Sequence, residues 1–469
     1  MTSFYLLTDT HYFSKSNWVM GKPALDRVRE NQIALLETPE ILDSYIDFIL
    51  SDESTNIVFF LGDNVDNADM NSHYEFRQRL EKLVSGGKKV YMTYATHDYI
   101  GGDDDENNFQ HSLRLTADGT EPLPFMKRGE LADFYYDFTE KNALDVHKKS
   151  GSYSVKLDEK TRLIAVIDNG NGRSFCGLTD DGPQWLEEQI KKANEKNEYV
   201  LLAVHHPVLP PWDCYKNAAE DAMYGGYKEL CEMMCRENVR VVFTGHTHVQ
   251  SIKEYTGENG NSFYDVATVS LANAYGKMRK VTVDDDGLCT VESIETDFKG
   301  ISKSKEELYR QNFPGIWEDL LPLAVKDYSD FLSLADGYLP VEKLKKLKIP
   351  LKLAFKRIDK MTLYSAARLT RVGKRLSGSE KEEARGILLK SVAFEMLRHI
   401  FTGNAPFKPD TVEYKVVSGA LSAADALIEK LNLKKIKNAI PDLSLKKIAD
   451  DFLYNNRTGD DDSIKIYLK

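Results

Sequence analysis

Residues 240–248 read Arg-Val-Val-Phe-Thr-Gly-His-Thr-His. The β-branched apolar run predicts a buried strand and Gly245 a turn. The two imidazoles that follow sit at i and i+2, a spacing that aims both to one side of an extended backbone. Neutral imidazoles converging beyond a strand end suit a metal ion. Four other apolar runs end in groups of the same kind. Residues 4–7 lead into Asp9 and His11, 57–61 into Gly62-Asp63, 89–94 into Thr96-His97-Asp98, and 199–204 into His205-His206-Pro207. Carboxylates and imidazoles without thiolate favour divalent ions such as Mn, Fe or Zn, and these donors exceed what one open site needs. Two divalent metal ions sharing one carboxylate would clamp a phosphoryl oxygen and acidify a bound water, which is what hydrolysis of a phosphate ester requires.

Five segments so far apart in the chain meet only if their strands end at a common edge, as in open α/β sheets, where ligands bind beyond the carboxyl ends of the strands. The intervening sequence fits that arrangement. Helical spacing marks residues 31–50, with Pro39 as an interruption or a start, then 74–84 closed by Gly86-Gly87, 185–193 and 226–237. Residues 153–157 and 162–167 read as paired strands, and 251–255, 262–269, 279–283 and 289–294 as strands of closing meanders. The stretch 100–150 is longer than an ordinary connection. Its Asp103-Asp104-Asp105 and Phe134-Tyr135-Tyr136 fit a cover over the site and a solvated excursion equally well. From about residue 301 helical periodicity replaces strand signals, in 343–358, 363–375, 380–401 and 416–431. The expectation is an α/β domain over 1–300 and an all-α accessory domain over 301–469.

Asp9-x-His11, Gly62-Asp63, His97-Asp98, His205-x-Pro207 and Gly245-His246-x-His248 together resemble the calcineurin-like metallophosphoesterase superfamily, over roughly residues 1–300. The resemblance implies a two-sheet sandwich flanked by helices and a dinuclear phosphoesterase. It also implies that Asp9, His11 and His248 bind one ion, that Asp63 bridges both, and that His205 and His246 bind the other. His97 would face the scissile phosphate as a charge stabiliser or proton donor, oriented by Asp98. His206 would lie behind the ligands, and Asp66 would support its loop through hydrogen bonds. One position departs from the pattern: the family carries Asn before His-Asp as a carbonyl ligand, and this chain carries Thr96, a weaker donor, so the second ion is expected to bind less tightly. Gly177-Leu178 followed by Gln184-Trp185-Leu186 is similar to a stretch of the cyclic-nucleotide phosphodiesterase-like branch, which puts nucleotides among the candidate small phosphate-ester substrates.

The chain has 469 residues, with 42% hydrophobic and 29% charged, an ordinary globular balance. Its net charge of −11 is unequally divided: 31 Lys+Arg against 50 Asp+Glu in residues 1–300, and 31 against 23 in the remainder. The excess positive charge concentrates in 343–357 and 368–375, where leucines interleave with lysines. Such helices serve as a solvated face, as a surface docked on the acidic domain, or as a surface for nucleic acid or an anionic membrane. Five cysteines at irregular spacing form no disulfide framework, and Cys231 and Cys235 read as packing residues. No apolar run is long enough for a transmembrane segment and no leader is evident, so a cytoplasmic location is expected. The reading that results is a metal-dependent phosphomono- or phosphodiesterase. The alternatives are a nuclease or lipid-phosphate hydrolase that uses the basic helices, and a non-catalytic phosphate-ligand binding protein with a degraded second metal site.

Overall fold

The protein is described by a computed structural model over residues 1–30, 33–100, 112–168, 176–211, 223–312, 325–335, 345, 348, 352, 356, 360–404, 406–430, 444–454 and 460–469. In chain order the strands are β1 (Thr2–Leu7), β2 (Ile57–Leu61), β3 (Lys89–Thr93), β4 (Leu113–Leu115), β5 (Thr120–Pro122), β6 (Asp145–Val146), β7 (Tyr153–Lys156) and β8 (Thr161–Val166). They continue as β9 (Tyr199–Val204), β10 (Val241–Thr244), β11 (Ser251–Thr256), β12 (Ser262–Ala267), β13 (Met278–Val283), β14 (Leu288–Ile294) and β15 (Ser463–Tyr467). One six-stranded sheet has the order β15-β14-β13-β1-β2-β3, and a seven-stranded sheet has the order β11-β12-β10-β9-β8-β7-β6.

Period-two alternation decides how these sheets pack. Phe4, Leu6, Phe59 and Leu61 point from the first sheet toward Leu201, Ala203, Phe243 and Val266 of the second, forming the core between them. Phe4 and Phe243 meet edge to face at 5.9 Å across that interface. The alternate residues Tyr5, Leu7, Val58 and Phe60 face outward onto the helices Thr38–Ser51 and Met70–Ser85. On the other side Ile164, Val166, Leu202 and Val242 cover the helices Gly182–Glu195 and Tyr227–Arg236. Strands buried on both faces read as continuous apolar runs, which is why the sequence announced them. β1, β2 and β3 are mutually parallel, as are β8, β9, β10 and β12, so each sheet presents its carboxyl ends along one edge.

Helices dominate after β14, among them Lys305–Asn312, Tyr328–Ala335, Leu363–Leu369, Gly378–Gly386, Leu389–Thr402, Val412–Lys430 and Leu445–Leu453. Leu363, Ala367, Ala384, Val392, Val416 and Leu453 form their own core. The single helix expected over 380–401 is two, because Gly386 ends the first and Ile387 and Leu388 are extended. The expectation that strands cease near residue 300 is corrected at the other end of the region. Ser463–Tyr467 pairs antiparallel with β14, and Ile466 and Leu468 enter the core between the sheets. Most of the basic stretch 343–357, and Asp103-Asp104-Asp105, lie outside the described residues. The aromatic group 134–136 divides: Tyr135 is fully buried in the core and Tyr136 is exposed. Among the described residues no helix is long and apolar enough to cross a membrane. Cys231 and Cys235 are buried beside β9 and β10, as packing residues should be.

Candidate metal centre

All five polar groups stand just beyond the carboxyl ends of the strands expected to carry them. Asp9 and His11 follow β1, Asp63 follows β2, and Thr96, His97 and Asp98 follow β3, all from one sheet; His205 follows β9, and His246 and His248 follow β10, from the other. The site is therefore built across the seam of the sandwich. Asp9, His11, Asp63, His246 and His248 all hold left-handed backbone, with φ of 51°, 40°, 47°, 63° and 56°. That conformation costs roughly 1–2 kcal/mol at a non-glycine residue and persists where the surroundings over-determine it. The loops are laced together by Asp9 N–H to Gly62 O at 3.1 Å and His11 N–H to Asp63 O at 3.0 Å. Two glycines permit the close approach. A Cβ on Gly62 would lie 2.8 Å from the His205 ring, and one on Gly245 would lie 2.2 Å from Thr8 Oγ1 and 2.6 Å from Asp9 Oδ2.

Asp9 divides its oxygens between two jobs. Oδ2 accepts from Thr8 Oγ1 at 2.6 Å and from the His246 N–H at 3.0 Å. Oδ1 is buried without a hydrogen-bond partner, and His248, His11 and His205 bring their Nε2 atoms to 3.4, 3.8 and 3.8 Å from it. Asp63 behaves similarly: Oδ1 accepts from the His97 N–H at 2.8 Å, while Oδ2 lies 3.0 Å from His205 Nε2. The His205 Nδ1–H donates to Leu61 O at 2.6 Å, which fixes the tautomer and leaves Nε2 as a bare lone pair in the neutral ring. Lone pairs that converge on carboxylate oxygens in a buried space require a cation between them. Among the described residues, Asp9–His11–His248 and Asp63–His205–His246 each gather ligand atoms within 4.8 Å of one another, as does His11–Asp66–His97, which shares His11 with the first. The donors present therefore fit a pair of divalent ions.

Electrostatics agree with that fit. Burial, with His97 and His248 nearby, pushes the His11 imidazole down to about 3. Burial and the neighbouring His206 and His205 hold His246 well below its ordinary value. Burial also opposes charge on His205, but the Asp63 and Asp9 carboxylates overcome it and raise the ring to about 9.

The supporting residues are organised around Asp98. Its carboxylate accepts from the backbone N–H groups of Asn64, Val65 and Ala95 at 2.8, 3.0 and 2.8 Å and from Asn64 Nδ2 at 3.1 Å. It thus pins the β3 loop to the β2 loop and places His97 through the backbone. The carboxylate near the His97 ring is Asp66, whose Oδ1 is 3.9 Å from His97 Nδ1 and equally 3.9 Å from His11 Nδ1. Asp66 is held in turn by Arg27 at 3.0 Å. His206 bonds through Nδ1 to Asp168 at 3.0 Å and lies 4.2 Å from the His246 ring. Thr96 is buried in the loop between β3 and His97, 8% exposed. Sequence reading missed Asp168, although its place directly after β8 repeats the pattern of the other five groups. It also missed His73, whose Nδ1 meets Tyr135 Oη at 2.7 Å and whose Nε2 meets Asp98 O at 2.9 Å. No motif marks that residue.

The profile of the calcineurin-like phosphoesterase family matches residues 2–250, and the chain belongs to that family. Among curated proteins, it is similar to the glycerophosphodiester phosphodiesterase GpdQ of Enterobacter lignolyticus, 31% identical over 100 residues, which are 21% of this chain and 34% of that one. The match thus spans about a third of that relative's length. Among solved structures it is similar to a dimetal phosphatase from Danio rerio, at a TM-score of 0.46 and 12% identity over 62% of this chain and 95% of the other. It is also similar to the purple acid phosphatase PPD1 from yellow lupin (Lupinus luteus) seeds, at a TM-score of 0.40 and 12% identity over 63% and 51%.

Proposed function

We propose that the chain is a dinuclear metal-dependent phosphodiesterase acting on small phosphate esters, with glycerophosphodiesters as the first substrates to try. The observation that carries this reading is the pair of donor sets around Asp9 and Asp63, with Asp9 Oδ1 buried and without a hydrogen-bond partner. Residues 1–300 form the catalytic unit in this reading, and the helices beyond are accessory. Asp9, His11 and His248 would hold one ion; Asp63, His205 and His246 would hold the second, with Asp63 bridging and Thr96 a marginal ligand. The ions would polarise the phosphoryl oxygens and supply a nucleophilic water near neutral pH.

The chain's own contribution is placement and proton handling. His97, whose side chain is 31% exposed, is the solvent-facing group of the set. It donates a proton to the departing alkoxide oxygen as water adds to phosphorus and the P–O bond breaks. Asp66 lies beside it, its Oδ1 3.9 Å from the ring Nδ1, and Asp98 fixes the turn on which it stands. The named activity of the curated relative supports diesters over monoesters.

Purified protein stripped with chelator and then titrated with Mn²⁺ tests the proposal, using bis(4-nitrophenyl) phosphate and glycerophosphoethanolamine. Activity should vanish on stripping and return with metal. Full activity after exhaustive chelation would refute it, and preferential cleavage of duplex DNA would shift the reading toward the basic helices.

A further inference from the structure

A cavity of about 310 Å³ lies beside the metal centre, lined in part by Asp26, Arg27, Asp66, Asn67, Asp69 and Ser112. Asp66 belongs to both places: it forms part of the cavity wall, and its Oδ1 is 3.9 Å from His97 Nδ1. Asp66 thus joins the cavity wall to the surroundings of His97. Its volume is at the small end for ligand sites, roughly the space of ten waters at about 30 Å³ each. That volume accommodates a short alcohol such as glycerol.

Two buried polar atoms in the cavity wall have no partner. Asp69, 1% exposed, uses Oδ1 to cap the helix Met70–Ser85 through the Ser72 N–H at 2.7 Å, and its Oδ2 is left unbonded. Ser112, 5% exposed, leaves Oγ unbonded. Buried polar atoms are almost always satisfied, so an orphaned pair in one cavity wall points to a ligand that supplies the missing bonds. An unpartnered carboxylate oxygen needs a donor, and a serine hydroxyl offers both roles. A hydroxyl-bearing ligand answers both, because each of its hydroxyls donates and accepts. The Arg27 guanidinium, which would otherwise attract an anion, is paired with Asp66 at 3.0 Å.

We infer that this cavity is the leaving-group subsite and that it selects a short polyhydroxylated alcohol of glycerol size, recognised by Asp69 Oδ2 and Ser112 Oγ. The inference rests on the phosphodiesterase reading and narrows its substrate class. As His97 donates its proton to the ester oxygen and the P–O bond breaks, the departing alcohol sits in the cavity and the phosphoryl group stays at the ions.

The test uses Mn²⁺-loaded full-length protein and three diesters of ethanol: ethyl glyceryl phosphate, ethyl propyl phosphate and ethyl aminoethyl phosphate. A site that hydrogen-bonds hydroxyls rejects an analogue lacking them. The glyceryl diester should exceed the propyl diester by about tenfold or more in kcat/KM, with most of the difference in KM. Ser112→Ala and Asp69→Asn should each reduce that ratio severalfold, and Ser112→Ala, which removes only an unbonded oxygen, guards against misfolding of the other. Calorimetric titration with glycerol 1-phosphate and propyl phosphate should give the same preference without turnover. Equal kcat/KM for the glyceryl and propyl diesters, with bis(4-nitrophenyl) phosphate still hydrolysed, would overturn the subsite and leave the phosphodiesterase standing. A preference for the aminoethyl diester would replace the polyol with a cationic alcohol and also overturn the assignment. Failure on all substrates would overturn the function itself, and the subsite with it.

Discussion

The Nε2 atoms of His11 and His248 lie 3.0 Å apart, edge to face, at the ends of strands from different sheets. Both point toward Asp9 Oδ1. Two imidazoles arranged in this way either share a proton or share an ion. The ion gives a measurable hierarchy. His248→Ala should remove one equivalent of Mn²⁺ by elemental analysis, whereas Asp63→Asn, which weakens both sites if Asp63 bridges them, should remove close to two. Equal loss from both variants would contradict the bridging role.

His97 should be separable from metal binding. His97→Ala is expected to keep its metal content and to lose about 10²–10⁴-fold in rate on diesters with alkyl leaving groups, the usual range for general acid help. With 4-nitrophenol as leaving group, which needs little protonation, the loss should shrink to a few fold. A variant that arrives without metal would make His97 a ligand.

Thr96 offers a hydroxyl where the family pattern has an amide carbonyl. Thr96→Asn should tighten the second Mn²⁺ and raise activity at limiting metal, with the two proteins converging at saturation. Isothermal titration of both proteins decides it, and superimposable curves would show that another group already fills the position.

Much of this site is legible in the sequence because its signals are local. Each candidate donor follows a strand whose both-face burial shows as an apolar run, within a few residues of its end. What was not legible depends on partners distant in sequence. The role of Asp98 is set by Asn64 and Val65, more than thirty positions earlier. His73 gives no pattern of its own. Strand β15 escaped notice because Ile464 and Ile466, alternating with charged and polar residues, are too short a signal without β14 to pair with. The break at Gly386 was hidden because the apolar spacing on either side continues in nearly the same phase.

His73 sets a stability slope. Burial pushes its imidazole down to about 3, against an ordinary value of about 6.5 in the unfolded chain. A base with a lowered folded pKa favours the neutral form. Its contribution is therefore complete above 6.5 and is lost as pH falls toward 3, because the unfolded chain takes up the proton and the folded one does not. Between pH 7 and pH 5 the loss should be about 2 kcal/mol. Urea unfolding of the wild type and His73→Gln at both pH values isolates this term, since other groups titrate alike in the two proteins. The gap between them should narrow by that amount at the lower pH.

The Asp462 carboxylate accepts from Lys277 Nζ at 2.8 Å and from Gln250 Nε2 at 3.0 Å. Gln250 stands two residues beyond His248. Asp462→Ala should cost about 1–3 kcal/mol of stability, as expected when buried donors lose an acceptor. It should also weaken Mn²⁺ binding at the His248 site more than at the His205 site. Unchanged affinity at both would mean that the loop holds its shape without this support.

Strand β15 is the neighbour of β14 in the sheet, yet residues 295–462 lie between them in the chain. During synthesis the β14 edge must therefore wait, with its backbone groups open, until the whole helical stretch has emerged. The buried Arg279 guanidinium, which donates to the carbonyls of Asp461 and Asp462 at 2.8 and 3.1 Å, waits for the same residues. A nascent chain that has reached the helices would carry all of the candidate donor residues without this support. A ribosome stalled within the helices would hold a protein with an exposed sheet edge, a template for association that the complete fold removes.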